Sequence, residues 1–124
     1  GATHAIAHQI GGHLELPHGL LNAILLPHVM RFNAVTHPDR YVGVAAAMGV
    51  ATERLTPVEA AEAAIASVQR LREKVGIPTG LQKLGVRRAD LPRFAENALH
   101  DVYITTNPRA VTRADVEQIC LAAL

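Results

Sequence analysis

Apolar residues recur at helical spacing along most of the chain, and no stretch shows the alternation of a half-buried strand. The pattern predicts an all-α fold, a bundle of about six or seven helices, with residues 1–124 forming one domain. Gly11-Gly12 should end a first helix, because adjacent glycines favour other backbone geometries. After the link His13-Leu14-Glu15-Leu16, Pro17 should open a second helix from about His18 to Phe32. Leu20, Leu21, Ala23, Ile24, Leu25, Leu26, Val29 and Met30 make that helix apolar nearly all round, so it should be central, with a kink at Pro27. Asn22 is its polar exception and needs hydrogen-bond partners.

A third helix is predicted over Pro38–Met48, with Tyr41, Val44, Ala45 and Met48 on one side and Gly49 as the stop. Thr56-Pro57-Val58-Glu59 is a capping-box start. The helix it opens should run to about Val75 and bury Val58, Ala61, Ile65, Val68 and Leu71 or Val75. Glu59, Glu62, Arg70, Arg72, Glu73 and Lys74 read as its solvated face. One short turn is expected within Gly80–Gly85. Asp90 should cap a helix that buries Leu91, Phe94, Ala95, Ala98, Leu99 and Val102. Thr105-Thr106-Asn107-Pro108 reads as a loop, and Thr112 caps a last helix with Asp115 at its third position.

Composition narrows the function classes. Apolar residues make up 49% and charged residues 19%, which is not the balance of a disordered chain. Two Tyr, two Phe and no Trp leave Ala, Leu, Val and Ile to build the core. A net charge of +1 gives no electrostatic case for nucleic acid. No basic segment followed by an apolar run marks a signal peptide, and no run is long enough to span a membrane. Together with the lone Cys120, this leads us to expect a cytoplasmic protein. Cys120 itself reads as a small core residue.

The candidate chemistry lies near the start. Five of the seven histidines, His4, His8, His13, His18 and His28, fall within the first 33 residues. His4 and His8 are one helical turn apart and share a face. A tight turn before His18 can bring it back towards them, and three imidazoles could hold a metal ion or move a proton. Spacing alone does not decide the matter. The pair lacks the Glu of an HExxH zinc site, and one cysteine excludes a zinc finger. His13, His28 and His100 read as ordinary core or surface residues.

The stretches HAIAHQIGG, LPHG and NAILLPHVMRFN are similar to the signature of the iron-dependent (group III) alcohol dehydrogenases. The resemblance continues, in the same order, through Ala45-Ala46-Ala47-Met48-Gly49, Gly76-Ile77-Pro78 and Thr106-Asn107-Pro108-Arg109. It implies a C-terminal all-helical metal-binding domain whose partner is an N-terminal nucleotide-binding domain. On the matching positions it implies that His4 and His18 bind the divalent metal, Fe(II) or alternatively Zn(II). It implies that His8 lies by the nicotinamide and assists proton movement. Two further ligands, an aspartate and a histidine, would lie upstream of Gly1. The dinucleotide, NAD or NADP, would be held mainly by the other domain, since no glycine-rich phosphate loop occurs here.

The implied activity is interconversion of a small alcohol and its aldehyde by hydride transfer, with this chain alone inactive. Two other readings remain open: a helical module that binds a divalent metal without redox chemistry, and a purely structural domain. A homo-oligomer is compatible with any of them.

Overall fold

Six α-helices follow one another with no strand: α1 (Ala2–Leu14), α2 (His18–Ala34), α3 (Arg40–Ala47), α4 (Pro57–Lys74), α5 (Leu91–Leu99) and α6 (Arg113–Ala122). The structure is a computed structural model that describes residues 1–124. Short 3-10 helices at Leu81–Leu84, Arg88–Asp90 and Val102–Thr106 fill the connections. The all-α expectation holds, and no helix is long and apolar enough to cross a membrane.

The main core joins α1, α2, α5 and α6 through residues such as Ile6, Ile10, Leu21, Leu25, Phe94 and Val116. A smaller core of Met30, Ala45, Ala60, Ala64 and Ile65 joins α3 and α4 to the later part of α2. Because α2 contributes to both, it is the central helix its apolar circumference predicts. Phe94 is the one aromatic side chain in the main core, and alanines at Ala2, Ala5, Ala7, Ala95 and Ala98 let the backbones approach closely.

The glycine pair does not stop the first helix. α1 runs through Gly11 and Gly12 to Leu14. A Cβ on Gly11 would lie 3.3 Å from Leu21 Cδ1 and 3.5 Å from the Leu16 carbonyl oxygen, so this glycine serves close packing inside the helix. Glu15 makes the actual stop. It takes the left-handed conformation, φ 54° and ψ 35°, at a cost of about 1–2 kcal/mol for a residue with a Cβ. Pro17, at φ −57° and ψ 125°, then starts α2, which continues across Pro27.

Capping reads as the sequence indicates at two helices. Thr56 Oγ1 accepts from the Glu59 N–H at 3.3 Å while Glu59 accepts from the Thr56 N–H at 2.8 Å. Thr112 and Asp115 repeat the arrangement at α6, with distances of 3.2 and 2.9 Å. Asp90 departs from expectation. Its carboxylate makes no side-chain cap on α5; instead it accepts from the Arg87 backbone N–H at 3.2 Å and from the Arg87 guanidinium at 3.0 and 3.1 Å.

The buried side of α4 is also rotated from the predicted one. Ala60, Ala61, Ala64, Ile65 and Ser67 are buried, whereas Val58 and Val75 are 62% exposed and Leu71 is half exposed. Small residues win the buried side because α4 lies tightly against α3 and α2. Arg72, expected in solvent, is buried; its Nη1 donates to the Ile24 carbonyl at 3.5 Å and its Nε has no partner. Val102 is exposed and lies beyond α5, in a 3-10 helix over Val102–Thr106 that extends into the Thr105–Pro108 stretch expected as a loop.

Two stability measurements check this description. Gly12 sits in α1 with open space where an added methyl group would stand, so Gly12→Ala should stabilise by about 0.4–1 kcal/mol, seen as a higher urea midpoint. A helix broken at the glycine pair would instead be destabilised by it. Thr56→Ala removes the cap of α4 and should lower the unfolding free energy by about 1 kcal/mol, again from urea titration.

Candidate metal centre

His4 and His8 project from successive turns of α1, and His18 is the first residue of α2. The left-handed Glu15 and the Pro17 start return the chain along α1, so His18 meets the other two. Ring centroids are 5.2 Å apart for His4 and His18, 5.0 Å for His8 and His18, and 6.2 Å for His4 and His8. The Tyr103 ring completes the group, 5.7 Å from His4 and 5.4 Å from His8. His4 and His18 are exposed and His8 is half-buried, so the cluster opens onto the surface.

The three rings are held differently. His8 Nδ1 lies 2.8 Å from Asp101 Oδ2. Burial pushes the Asp101 carboxyl up, but the His8 hydrogen bond and the Tyr103 N–H outweigh it and hold the group below its ordinary range. Asp101 is therefore a carboxylate, which only accepts, and His8 Nδ1 is the donor. His18 Nε2 lies 2.8 Å from Asn22 Nδ2, while the buried Asn22 Oδ1 has no partner. The His4 ring makes no hydrogen bond. Desolvation, then the neighbouring His18 and His8, lower its pKa below the ordinary 6.5, which favours the neutral ring.

A side-chain clasp fixes the start of α1 beneath this cluster. The Gly1 nitrogen donates to Thr106 Oγ1 at 2.9 Å, and the Ala2 N–H donates to Asn107 Oδ1 at 3.2 Å. Asn107 and the buried Asn33 exchange amide hydrogen bonds of 2.8 and 3.3 Å. Arg109 donates to the Phe32 carbonyl at 2.7 Å, and its guanidinium lies 3.9 Å from the centre of the Phe32 ring. Asp101 and Asn33 escaped the reading of the sequence, because their partners lie 93 and 74 residues away. The only signal was that RFN and NPR both occur among the stretches that carry the family resemblance.

The remaining histidines stand apart. His13 packs edge-on against Phe94 at 5.6 Å, and His100 lies at the surface near Glu96. His28 is partly buried on α2, and desolvation followed by Arg72 and Arg31 lowers its pKa. Cys120 is fully buried, and burial pushes its thiol up to about 12, so it is no nucleophile.

Imidazole nitrogens suit a divalent first-row metal, and His4 and His18 stand close enough to present two of them to one ion. His4 has both nitrogens free. His18 keeps its Asn22 bond if it ligates through Nδ1 and exchanges that bond if it ligates through Nε2. The residues fit as part of a donor set and do not complete one: no group of three His, Cys, Asp or Glu side chains is arranged around a common ion position.

The fold and site together define an all-helical domain that clusters three imidazoles at one surface. The chain belongs to the Fe-containing alcohol dehydrogenase family, whose C-terminal region it matches over residues 1–124. It is 44% identical over 119 residues to the 1,3-propanediol dehydrogenase of Citrobacter freundii, which covers 96% of this chain and 31% of that protein. Lactaldehyde reductase of Escherichia coli shows the same identity and coverage. The NAD-dependent methanol dehydrogenase of Bacillus methanolicus is 38% identical over 100% of this chain and 32% of its own length. A crystal structure of 1,3-propanediol oxidoreductase superimposes with a TM-score of 0.98 at 42% identity, covering 100% of this chain and 32% of that one. An alcohol dehydrogenase from Oenococcus oeni superimposes with a TM-score of 0.97 at 39% identity, with the same coverages. The chain thus spans about 31% of the length of the relatives it matches and corresponds to their C-terminal portion.

The lowered pKa of His28 has a signed consequence. The folded state disfavours its proton, so stability is complete at neutral pH, begins to fall as pH drops through 6.5, and stops falling below the folded-state pKa. Urea unfolding at pH 7.5 and pH 5 should show a smaller acid loss in His28→Gln than in the wild type. An equal loss in both would contradict the assignment.

Proposed function

We propose that this chain is the C-terminal all-helical metal-binding domain of a metal- and nicotinamide-dependent alcohol dehydrogenase acting on a small alcohol or aldehyde. The observation that carries the proposal is the meeting of the His4, His8 and His18 rings, from two helices, in a chain of this family. His4 and His18 are the metal ligands, and His8 is the proton-moving group. Iron is the metal the family description names, and Fe(II) is the form proposed here; Zn(II) suits the same nitrogen donors.

A metal ion held by His4 and His18 would supply Lewis-acid polarisation of the alcohol or aldehyde oxygen, and NAD or NADP would serve as the hydride carrier. His4 contributes a ring kept neutral by its surroundings, the form that ligates. His18 contributes a second ring, steered by Asn22. His8 holds Nδ1–H towards Asp101 and so keeps Nε2 as the basic atom, with no hydrogen-bond partner of its own. At Nε2 it takes the hydroxyl proton in the oxidative direction and returns it in the reductive one. The remaining ligands, an aspartate and a histidine, lie upstream of Gly1 on an earlier helix, and the groups that hold the dinucleotide phosphates belong mainly to an N-terminal nucleotide-binding domain.

Two imidazoles without a carboxylate give a weak site. Calorimetric titration of the 124-residue chain with Zn(II) should therefore show weak binding that declines in acid and is lost in His4→Ala and His18→Ala. Binding unchanged in both variants would remove these residues from the metal site. An assay with NADH or NADPH, Fe(II) or Zn(II) and a small aldehyde should give no turnover above background. Turnover that vanishes in His4→Ala and His18→Ala would show that the chain suffices by itself.

A further inference from the structure

We infer that Asp101 is a positioning residue that fixes His8 in the tautomer with its proton on Nδ1 and its lone pair on Nε2. The inference rests on the reading of His8 as the proton-moving group and names what prepares it. Asp101 Oδ2 stands 2.8 Å from His8 Nδ1, and the Asp101 side chain is only 11% exposed against 36% for His8. The carboxylate has no proton to give. Its Oδ1 accepts from the Tyr103 N–H at 2.9 Å, and Oδ2 also faces the Gln9 amide at 3.5 Å. Every group around Asp101 is a donor, so His8 Nδ1 must be one too.

The carboxylate cannot easily follow the ring if the ring moves. Asp101 is the N-cap of the 3-10 helix Val102–Thr106, and the following Asn107 is tied to Ala2 and Asn33. The segment is thus anchored to α1 on both sides of Tyr103. His8 is held from a fixed point and cannot turn to present Nδ1–H towards His18 and His4. The nitrogen left for proton exchange is Nε2, and a proton gained there makes an imidazolium whose charge the adjacent carboxylate offsets.

Capping of the 3-10 helix is the competing role, and Asp101→Asn separates the two. The amide oxygen can still accept from the Tyr103 N–H, while its NH2 can donate to His8 Nδ1. The two-bond 1H–15N correlations of the imidazoles, recorded on the metal-free chain above pH 8, report which nitrogen carries the proton. The His8 signals are assigned by their loss in His8→Gln. The wild type should show a pyrrole-like Nδ1 and a pyridine-like Nε2 at His8. Asp101→Asn should move the proton to Nε2, with the helical circular dichroism retained. A wild-type His8 protonated at Nε2, or an Asp101→Asn spectrum with His8 unchanged, would overturn the inference. So would loss of the fold in Asp101→Asn, which would make the residue structural. These spectra need neither metal nor dinucleotide. Failure here leaves metal binding at His4 and His18 standing, and failure of metal binding leaves the tautomer result intact.

Discussion

The site depends on how closely the second helix and the link before it lie against the first at Gly11. A side chain there would press on Leu21 and on the Leu16 backbone. Only with that approach can the short link Glu15-Leu16-Pro17 carry the chain from the end of α1 back to the level of His8. Glu15 accepts a left-handed backbone to make the return, and the apolar contacts of Ile10, Leu21 and Leu25 hold it shut. The histidine cluster is therefore a consequence of core packing, with no direct bond joining the rings to one another.

A second set of contacts works at the other end of α1. The Asn33–Asn107 exchange and the Arg109 contacts bind the segment after α5 to α2, and the hydrogen bond from the Ala2 N–H to Asn107 binds it to α1. That segment begins with Asp101, so the hydrogen bond that orients His8 is delivered by the same clasp that holds the start of its helix. The three imidazoles are thereby given different tasks. The His4 ring is free of hydrogen bonds, His18 is bonded to an amide on its own helix, and His8 is committed to a carboxylate. Two rings open to an ion and one committed to a carboxylate is the arrangement that the proposed alcohol–aldehyde chemistry calls for.

Much of the fold was legible in local signals. Thr56-Pro57-Val58-Glu59 and Thr112–Asp115 mark helix starts because capping depends on residues three apart. The His4–His8–His18 cluster was legible for a similar reason, since all three lie close in sequence and are joined by one turn. What local reading missed was set by tertiary contact. Gly11-Gly12 looks like a break until the neighbouring helix is present to use the missing side chain. Arg72 looks solvated until α4 is seen to turn its alanines inward. Asp101 carries no mark of its role at all, because His8 is 93 positions away.

X-ray absorption on the Zn(II)-loaded chain tests most directly the claim that this domain supplies two of an ion's ligands and reserves His8 for protons. The spectrum should fit two imidazole nitrogens at about 2.0–2.1 Å, with the rest of the shell made of solvent oxygens, and should be unchanged in His8→Gln. A shell of three imidazoles that falls to two in His8→Gln would contradict it.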